Sequence, residues 1–282
     1  MGVWRWLRRS RSQGQQQLPG SSSNPVDGEP AAAADPTDVT AAIAAVGLTV
    51  PALSFVARPG SAGGLWAFQA PANELLPWWR RLRAAHGVSG LWPVILGPDL
   101  QLGEIWDAGE DPDDAVTAGL AMDGAARLAE IRADMTAEHE EWSDSSEAWP
   151  PRGNATGMHV HDDSDFYLAH EDGWIGLIDA AHGYLVPGLL TWTGATNHGL
   201  EPADHVSILR YWHQRHGAEL VSLGWDVLEV TVPRPPTDPQ NAMAVAEEQW
   251  WYCPDVVDQG VETLDALAAV QVAGHRWYFW WD

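Results

Sequence analysis

The sequence predicts an α+β fold in which mixed or antiparallel sheets pack against helices, arranged as two α/β halves after a disordered N-terminal tail. Of the 282 residues, 45% are hydrophobic, which is enough apolar material for a substantial core. Short apolar runs bounded by glycine alternate with longer amphipathic segments, as expected for strands that pack against helices. The predicted order of elements in the second half also echoes the order in the first half.

Composition divides the chain into four regions. Residues 1–35 are rich in Gln, Ser, Pro and Gly and carry too few apolar residues to offset the entropy lost on ordering, which predicts a disordered tail. Residues 36–145 are predicted to form an N-terminal α/β region, and residues 173–282 a C-terminal domain. The turn-forming residues between them predict a linker or long loop at 146–172.

The elements of the N-terminal region follow from local patterns. DVTAAIAAVGL predicts a helix that starts at the N-cap residue Asp38 and ends at Gly47. ALSFVA and GLWAFQA predict a hairpin, ANELLPWWRRLRAAHG an amphipathic helix, and GLWPVILG a buried strand. The acidic stretch DDAVTAGLAMDGAARLAEIRADMTAEHEEW predicts one or two helices with an inward face formed by Val116, Leu120, Leu128 and Ile131.

The C-terminal half repeats this mixture of strands and helices. DFYLAH, GWIGLIDA and YLVPGLLTW are strand-like, although Pro187 favours an edge or a bend in the third. PADHVSILRYWHQRHGAE predicts a helix, and AELVSLG with DVLEVTV a hairpin around Gly224. TDPQNAMAVAEEQWWYC predicts a helix capped by Asp238, and VETLDALAAVQVAG a further helix.

HRWYFWWD is predicted to be the last strand. Alternation places Trp277, Phe279 and Trp281 on one face, and Tyr278 and Trp280 on the other. The helices just before it supply cover for one face, so we predict a paired, largely buried strand that locks the C-terminal core. The second face needs cover either from the chain's own N-terminal half or from another molecule.

Charge restricts the partners of the protein. The chain carries 39 acidic and 15 basic residues, a net charge of −24. This excess repels nucleic acid and anionic membranes, so we expect neither as a partner, and it suits high solubility or a basic protein partner. The single cysteine, Cys253, excludes an internal disulfide and fits a reducing compartment, so we expect a cytoplasmic protein.

The MHVHDD segment is the pattern that most resembles a metal site. On a strand, His159, His161 and Asp163 would share one face and supply three ligands with an open fourth position. A solvated turn is the simpler interpretation beside a Gly/Pro-rich loop, because a metal site needs supporting hydrogen bonds around its ligands. No cofactor is therefore predicted.

CPDVVDQG and the aromatic residues near it form the predicted ligand or partner pocket. Asp258 or Gln259 is expected to cap the following helix, and the same polar side chains would rim an aromatic pocket. Cys253 is expected to be inert, because a helix C-terminus and nearby carboxylates raise a thiol pKa. No catalytic residue is assigned, and the pocket candidates are Trp251, Tyr252, Cys253, Asp255, Asp258, Gln259, Tyr278 and Trp280.

Eighteen tryptophans, several of them in adjacent pairs, direct the functional hypothesis. Neighbouring residues on a helix cannot both face one core, so one member of each pair is expected at a surface, where aromatic side chains often anchor interfaces. The leading hypothesis is a non-enzymatic protein-interaction module of regulatory or immunity type. The alternative is an enzyme or small-ligand binder with its pocket near CPDVVDQG, metal-dependent through His159 and His161.

Four stretches carry a resemblance to a known family. HVSILRYWHQRHGAELV, EVTVPRPP, EEQWWYCPDVVDQGVETLDALA and WYFWWD occur in this order, within a region that starts near Trp174. The region resembles a bacterial family catalogued by its C-terminal domain of unknown function 4253. The resemblance implies a cytoplasmic, single-chain protein. It implies no reaction and assigns no catalytic residue.

Overall fold

The N-terminal part of the chain contains both helices and strands. The computed structural model describes residues 36–57, 64–98, 111–142, 149–153 and 165–282, and the tail predicted at 1–35 lies outside these ranges. The elements of this part are α1 (Pro36–Ala45), β1 (Ser54–Ala57), β2 (Leu65–Ala70), α2 (Ala72–Ser89), β3 (Leu91–Gly97), α3 (Pro112–Ala121) and α4 (Gly124–Trp142).

The C-terminal part adds four strands and several short helical turns. Its strands are β4 (Gly173–Asp179), β5 (Glu219–Leu223), β6 (Val227–Thr231) and β7 (Arg276–Trp280). Its α-helices are α5 (Val186–Leu189), α6 (Pro202–His216), α7 (Pro239–Tyr252) and α8 (Leu264–Leu267). 3₁₀ turns lie at Tyr167–Ala169, Gly183–Leu185 and Thr196–His198, and π-helical turns at Val256–Val261 and Ala268–Val272.

The seven strands form one mixed sheet in the order β1-β2-β4-β3-β5-β6-β7. β4 is antiparallel to both β2 and β3, β3 is parallel to β5, and β5, β6 and β7 form an antiparallel meander. The predicted α+β class is therefore confirmed. The regions predicted at 36–145 and 173–282 share this sheet, because β4 lies between two strands of the first region.

A hydrophobic core covers each face of the sheet. Strand β2 shows the arrangement: Leu65 and Ala67 face the core formed with α6 and α7, whereas Trp66 and Phe68 face the core formed with α1 and α2. A strand that is buried on both faces carries apolar residues at nearly every position instead of an alternating pattern. This explains why GLWAFQA and GLWPVILG are almost uninterrupted apolar runs.

Strand β7 has one buried face and one partly exposed face, as its alternation predicts. Trp277 and Phe279 have no exposed surface and Trp281 is 2% exposed, whereas Tyr278 and Trp280 are half-buried. The Phe279 ring stacks on Trp212 of α6 at a centroid distance of 5.4 Å. The predicted packing of this strand against the C-terminal core is therefore confirmed.

Two predicted strands are wrong. DFYLAH forms the 3₁₀ turn Tyr167–Ala169, and YLVPGLLTW forms a 3₁₀ turn followed by α5. Pro187 lies in the first turn of α5, where its missing N–H removes no helical hydrogen bond, so the proline starts a helix instead of bending a strand.

The inward face predicted for α3 is also wrong at one residue. Leu120 is 39% exposed, and Gly119 faces α6 instead. A Cβ atom on Gly119 would lie 2.6 Å from Val206 and 2.7 Å from the Ala203 carbonyl oxygen. The two helices therefore meet at a glycine, which allows closer approach than a leucine would.

We expect Phe279→Ala to lower the free energy of unfolding by about 3–5 kcal/mol, because it removes a fully buried ring from the aromatic core. Urea denaturation followed by tryptophan fluorescence measures this change. Val88→Ala is the control, because Val88 is 77% exposed on α2 and its loss should change stability by less than about 0.5 kcal/mol. Equal midpoints for the two variants would contradict the expectation.

Candidate functional site

Helix α7 delivers three consecutive aromatic residues to the predicted pocket. The Asp238 side chain caps its start by accepting a hydrogen bond from the Asn241 backbone N–H at 2.9 Å, as predicted. At its other end, Trp250 and Trp251 are both buried, because Trp149 packs against both rings at 5.3 and 5.4 Å. The expectation that one member of this pair is exposed is therefore wrong.

Tyr252 is fully buried and paired with a histidine of α6. Its hydroxyl is 2.5 Å from His205 Nδ1, and both side chains pack against Trp281. Burial lowers the pKa of His205 to about 4 and raises the pKa of Tyr252. Both groups are therefore neutral at neutral pH and form part of the core.

Cys253 caps the outer edge of β7. The Trp281 N–H donates to the carbonyl of Asp226, the residue just before β6, so the neighbouring Trp280 carbonyl faces away from β6, toward the open edge of the sheet. The Cys253 Sγ donates to that carbonyl oxygen at 3.0 Å. Burial and the nearby Asp255 carboxylate raise the pKa of the thiol, which agrees with an inert cysteine.

The Asp255 carboxylate contacts residues from three separate segments of the chain. Its Oδ2 accepts from the Asp282 N–H at 2.9 Å and lies 3.1 Å from His198 Nε2, while its Oδ1 accepts from Gln259 Nε2 at 2.9 Å. Burial by itself would raise the pKa of Asp255, but these hydrogen bonds outweigh burial and lower the pKa. The carboxylate is therefore ionised at neutral pH and holds the residues that follow β7.

The predicted capping role of Asp258 and Gln259 is wrong. Asp258 accepts a hydrogen bond from Trp250 Nε1 at 3.1 Å, and Gln259 bonds to Asp255. Thr263 caps α8, because its Oγ1 accepts from the Ala266 N–H. Asp258 and Gln259 both lie within the π-helical turn Val256–Val261, which ends before the N-cap residue Thr263, so neither is in position to cap α8.

The two remaining candidates, Tyr278 and Trp280, lie on the half-exposed face of β7 and belong to a larger aromatic surface. The Tyr167 ring meets Tyr278 edge to face at 5.9 Å, and Trp280 Nε1 donates to Asp226 Oδ2 at 3.1 Å. Trp225 lies beside Asp226 at the tip of the β5–β6 hairpin. Tyr167 is 55% exposed and Trp225 is 49% exposed. We call these four residues, Tyr167, Trp225, Tyr278 and Trp280, the aromatic surface.

Glu229 fixes the position of Tyr167 on this surface. This fully buried carboxylate lies opposite Tyr278 in the sheet and accepts hydrogen bonds from the Tyr167 and Leu168 N–H groups at 2.8 and 3.2 Å. Arg276 Nε lies 3.5 Å away. Burial raises the pKa of Glu229, and Arg276 and the two N–H groups oppose that effect. The turn at Tyr167 is therefore held by side chains of β6 and β7.

Sequence reasoning missed Tyr167, Trp225 and Glu229. The available signals were an aromatic residue between Gly224 and Asp226 in a hairpin turn, and a glutamate inside the otherwise apolar strand DVLEVTV. A charged residue at a buried strand position needs a partner, and here the partner lies 62 residues earlier in the chain. No local pattern identifies a partner at that distance.

Trp251 belongs to a different site. It lines a cavity of about 510 Å³ together with Trp149, Pro150 and residues of α4. Trp251 is thus separated from Tyr278 and Trp280, with which the sequence grouped it.

The metal hypothesis receives no support from the described residues. His159, His161 and Asp163 lie outside them, and within them no three His, Cys, Asp or Glu side chains come close enough to hold a metal ion. Among the helices of the same ranges, none combines the length and the apolarity needed to cross a bilayer.

The four stretches that carried the family resemblance all lie in the C-terminal part of the fold. Residues 174–282 match the family described as Domain of unknown function (DUF4253). The predicted C-terminal domain of unknown function is therefore confirmed. The DUF4253 region starts in β4 and includes Trp225, Glu229, Tyr278 and Trp280, whereas Tyr167 precedes it. No curated protein and no solved structure matches the chain.

The buried His205 should make stability depend on pH. An unfolded histidine binds a proton below a pH of about 6.5, but His205 does so in the folded protein only below about 4. Between these values the unfolded state binds more protons, so acidification favours unfolding by up to roughly 3 kcal/mol.

Urea denaturation of the wild type and His205→Gln between pH 7.5 and 4 tests this expectation. The variant lacks the titrating group, so the stability advantage of the wild type should shrink steadily below pH 6.5 and stay constant above it. An advantage that does not change with pH would show that His205 is not titrating as its burial requires.

Proposed function

We propose that the protein is a non-enzymatic protein-interaction module that binds a basic protein partner through the aromatic surface. The observation that supports this most is the exposure of Tyr167 and Trp225, each about half exposed. Tyr167 contacts the Tyr278 ring, and Trp225 adjoins Asp226, which binds Trp280 of the edge strand β7. Exposed tyrosine and tryptophan side chains are typical anchors of protein interfaces. A regulatory or immunity-type role suits such a module.

The rigidity of the aromatic surface favours binding. Tyr167 is held through its backbone by Glu229, and Trp280 through its indole N–H by Asp226. Leu168 packs closely over Gly97 and Gly224, so the turn that carries Tyr167 lies against the sheet. A surface whose side chains are already ordered loses little conformational entropy when a partner binds.

Charge complementarity favours a basic partner. The protein carries a net charge of −24, which attracts a basic partner over long distances and raises the association rate. Arg276 lies 5.7 Å from the Tyr278 ring centroid, but its charge is already paired with Glu229. Arginine or lysine side chains of a partner can lie over the exposed rings of Tyr167 and Trp225.

A role without catalysis is supported by the burial of the reactive groups near β7. Cys253 and Tyr252 are buried in the core and hydrogen-bonded to other residues of the chain. Nucleophilic catalysis needs an accessible group with an activating base, and neither residue offers access.

Affinity capture from the cells that encode the chain tests this proposal. The wild type should retain a basic protein, and Tyr167→Ala/Trp225→Ala should retain at least about tenfold less of it, because both interface anchors are removed. Raising the salt concentration should weaken retention by the wild type, because screening reduces the attraction between the acidic protein and its partner.

Val88→Ala is the matched control, since it removes an exposed apolar side chain from α2, away from the aromatic surface. It should retain the partner as the wild type does. Retention of the same proteins by all three forms, or of no basic protein by the wild type, would contradict the proposal.

A further inference from the structure

A cavity between α4 and α7 is lined by charged and aromatic side chains that are not part of the aromatic surface. Its volume is about 510 Å³, which falls within the range of small-ligand pockets in proteins. Four residues of α4 and two of α7 line it, and the chain at residues 149–150 crosses one side. The lining residues are Arg132, Thr136, His139, Glu140, Trp149, Pro150, Glu247 and Trp251.

Aromatic side chains give the cavity a rigid wall. Trp149 stacks on His139 at 4.2 Å with nearly parallel rings, and it meets Trp251 edge to face at 5.4 Å. Trp250, which is buried behind this wall, contacts both tryptophans. The wall is therefore fixed by packing, and it offers apolar surface to the body of a ligand.

Two charged side chains of the cavity, the basic Arg132 and the acidic Glu140, have no ion-pair partner among the described residues. Arg132 and Glu140 are both exposed, and they lie eight residues apart on α4, about 12 Å along the helix axis. The guanidinium carbon of Arg132 is 5.9 Å from the Trp251 ring centroid. Glu247, by contrast, lies 3.6 Å from Arg152.

We propose that this cavity binds a small zwitterion of the size of a short peptide. The ligand's carboxylate pairs with Arg132, its ammonium group pairs with Glu140, and its apolar body lies against Trp149 and Trp251. An extended dipeptide spans about 7 Å between its charged ends, and the long, flexible side chains of Arg132 and Glu140 can reach across the rest of their spacing of about 12 Å along the helix axis.

The mixed charge of the cavity disfavours ligands of a single charge. A ligand with a single charge can pair with only one of the two groups, because a cation at Glu140 leaves Arg132 unpaired and an anion at Arg132 leaves Glu140 unpaired. A ligand with both charges satisfies both groups, and its two ends fix its orientation in the cavity.

Four forms of one dipeptide separate the contributions of the two charges. The probes are alanyl-phenylalanine, its N-acetyl form, its C-terminal amide and the doubly blocked form, each titrated calorimetrically against the full-length protein. We expect the zwitterion to bind about tenfold more tightly than either singly charged form, because each end makes a charge-assisted hydrogen bond. The doubly blocked form should bind most weakly.

Two variants test which residue recognises the carboxylate of the dipeptide and which recognises its amine. Arg132→Gln should abolish the preference for a free carboxylate and keep the preference for a free amine, and Glu140→Gln should do the reverse. Arg80→Gln, which changes an exposed arginine of α2, is the matched control and should keep both preferences.

Equal affinities for the four probes, or preferences that survive in Arg132→Gln and Glu140→Gln, would overturn the proposal. Absence of measurable binding of alanyl-phenylalanine at millimolar concentration would also overturn it. The site is independent of the aromatic surface, so Tyr167→Ala/Trp225→Ala should bind the dipeptide as the wild type does, whatever the outcome of the capture experiment.

Discussion

Strand β4 has a hydrogen-bonded neighbour on each side, and both neighbours come from the part of the chain that precedes it. Its glycines make this position possible. A Cβ atom on Gly173 would lie 2.7 Å from the Gly97 carbonyl oxygen, and one on Gly176 would lie 3.0 Å from three apolar side chains of the flanking strands. The DUF4253 region thus begins with a strand that the preceding region pairs on both edges. The meander β5-β6-β7, and with it the aromatic surface, extends the sheet from β3.

The two faces of β7 have different surroundings: one packs into the core, and the other belongs to the aromatic surface that we propose binds a partner. Trp277, Phe279 and Trp281 pack into the core, while Tyr278 and Trp280 remain half exposed beside Tyr167. The buried face holds the strand in place, so the exposed face presents its rings in fixed positions. Cys253 and Asp255 complete this arrangement: Cys253 bonds to the outer edge of the strand, and Asp255 bonds to Asp282, two residues beyond its end.

Local patterns predicted the elements whose burial follows a simple period. The alternation of RWYFW gave the correct faces of β7 because only one of them is fully covered. DFYLAH and YLVPGLLTW are apolar without regular alternation, and there the tertiary contacts determine the turns. The candidate pocket was only partly predictable, since CPDVVDQG is close to β7 but its polar side chains are used in hydrogen bonds to Trp250, to the end of the chain and within the segment. Trp149 and Tyr167 gain their roles from contacts with residues about 100 positions later.

The dependence of the DUF4253 region on the preceding strands can be measured directly. A fragment of residues 165–282 retains β4 but lacks both of its neighbours, and it can be compared with residues 36–282 by urea denaturation and near-ultraviolet circular dichroism. We expect the longer chain to unfold in one cooperative transition, and the fragment to show no such transition and a weak near-ultraviolet signal. A fragment that unfolds cooperatively at the same urea concentration as the longer chain would contradict this dependence.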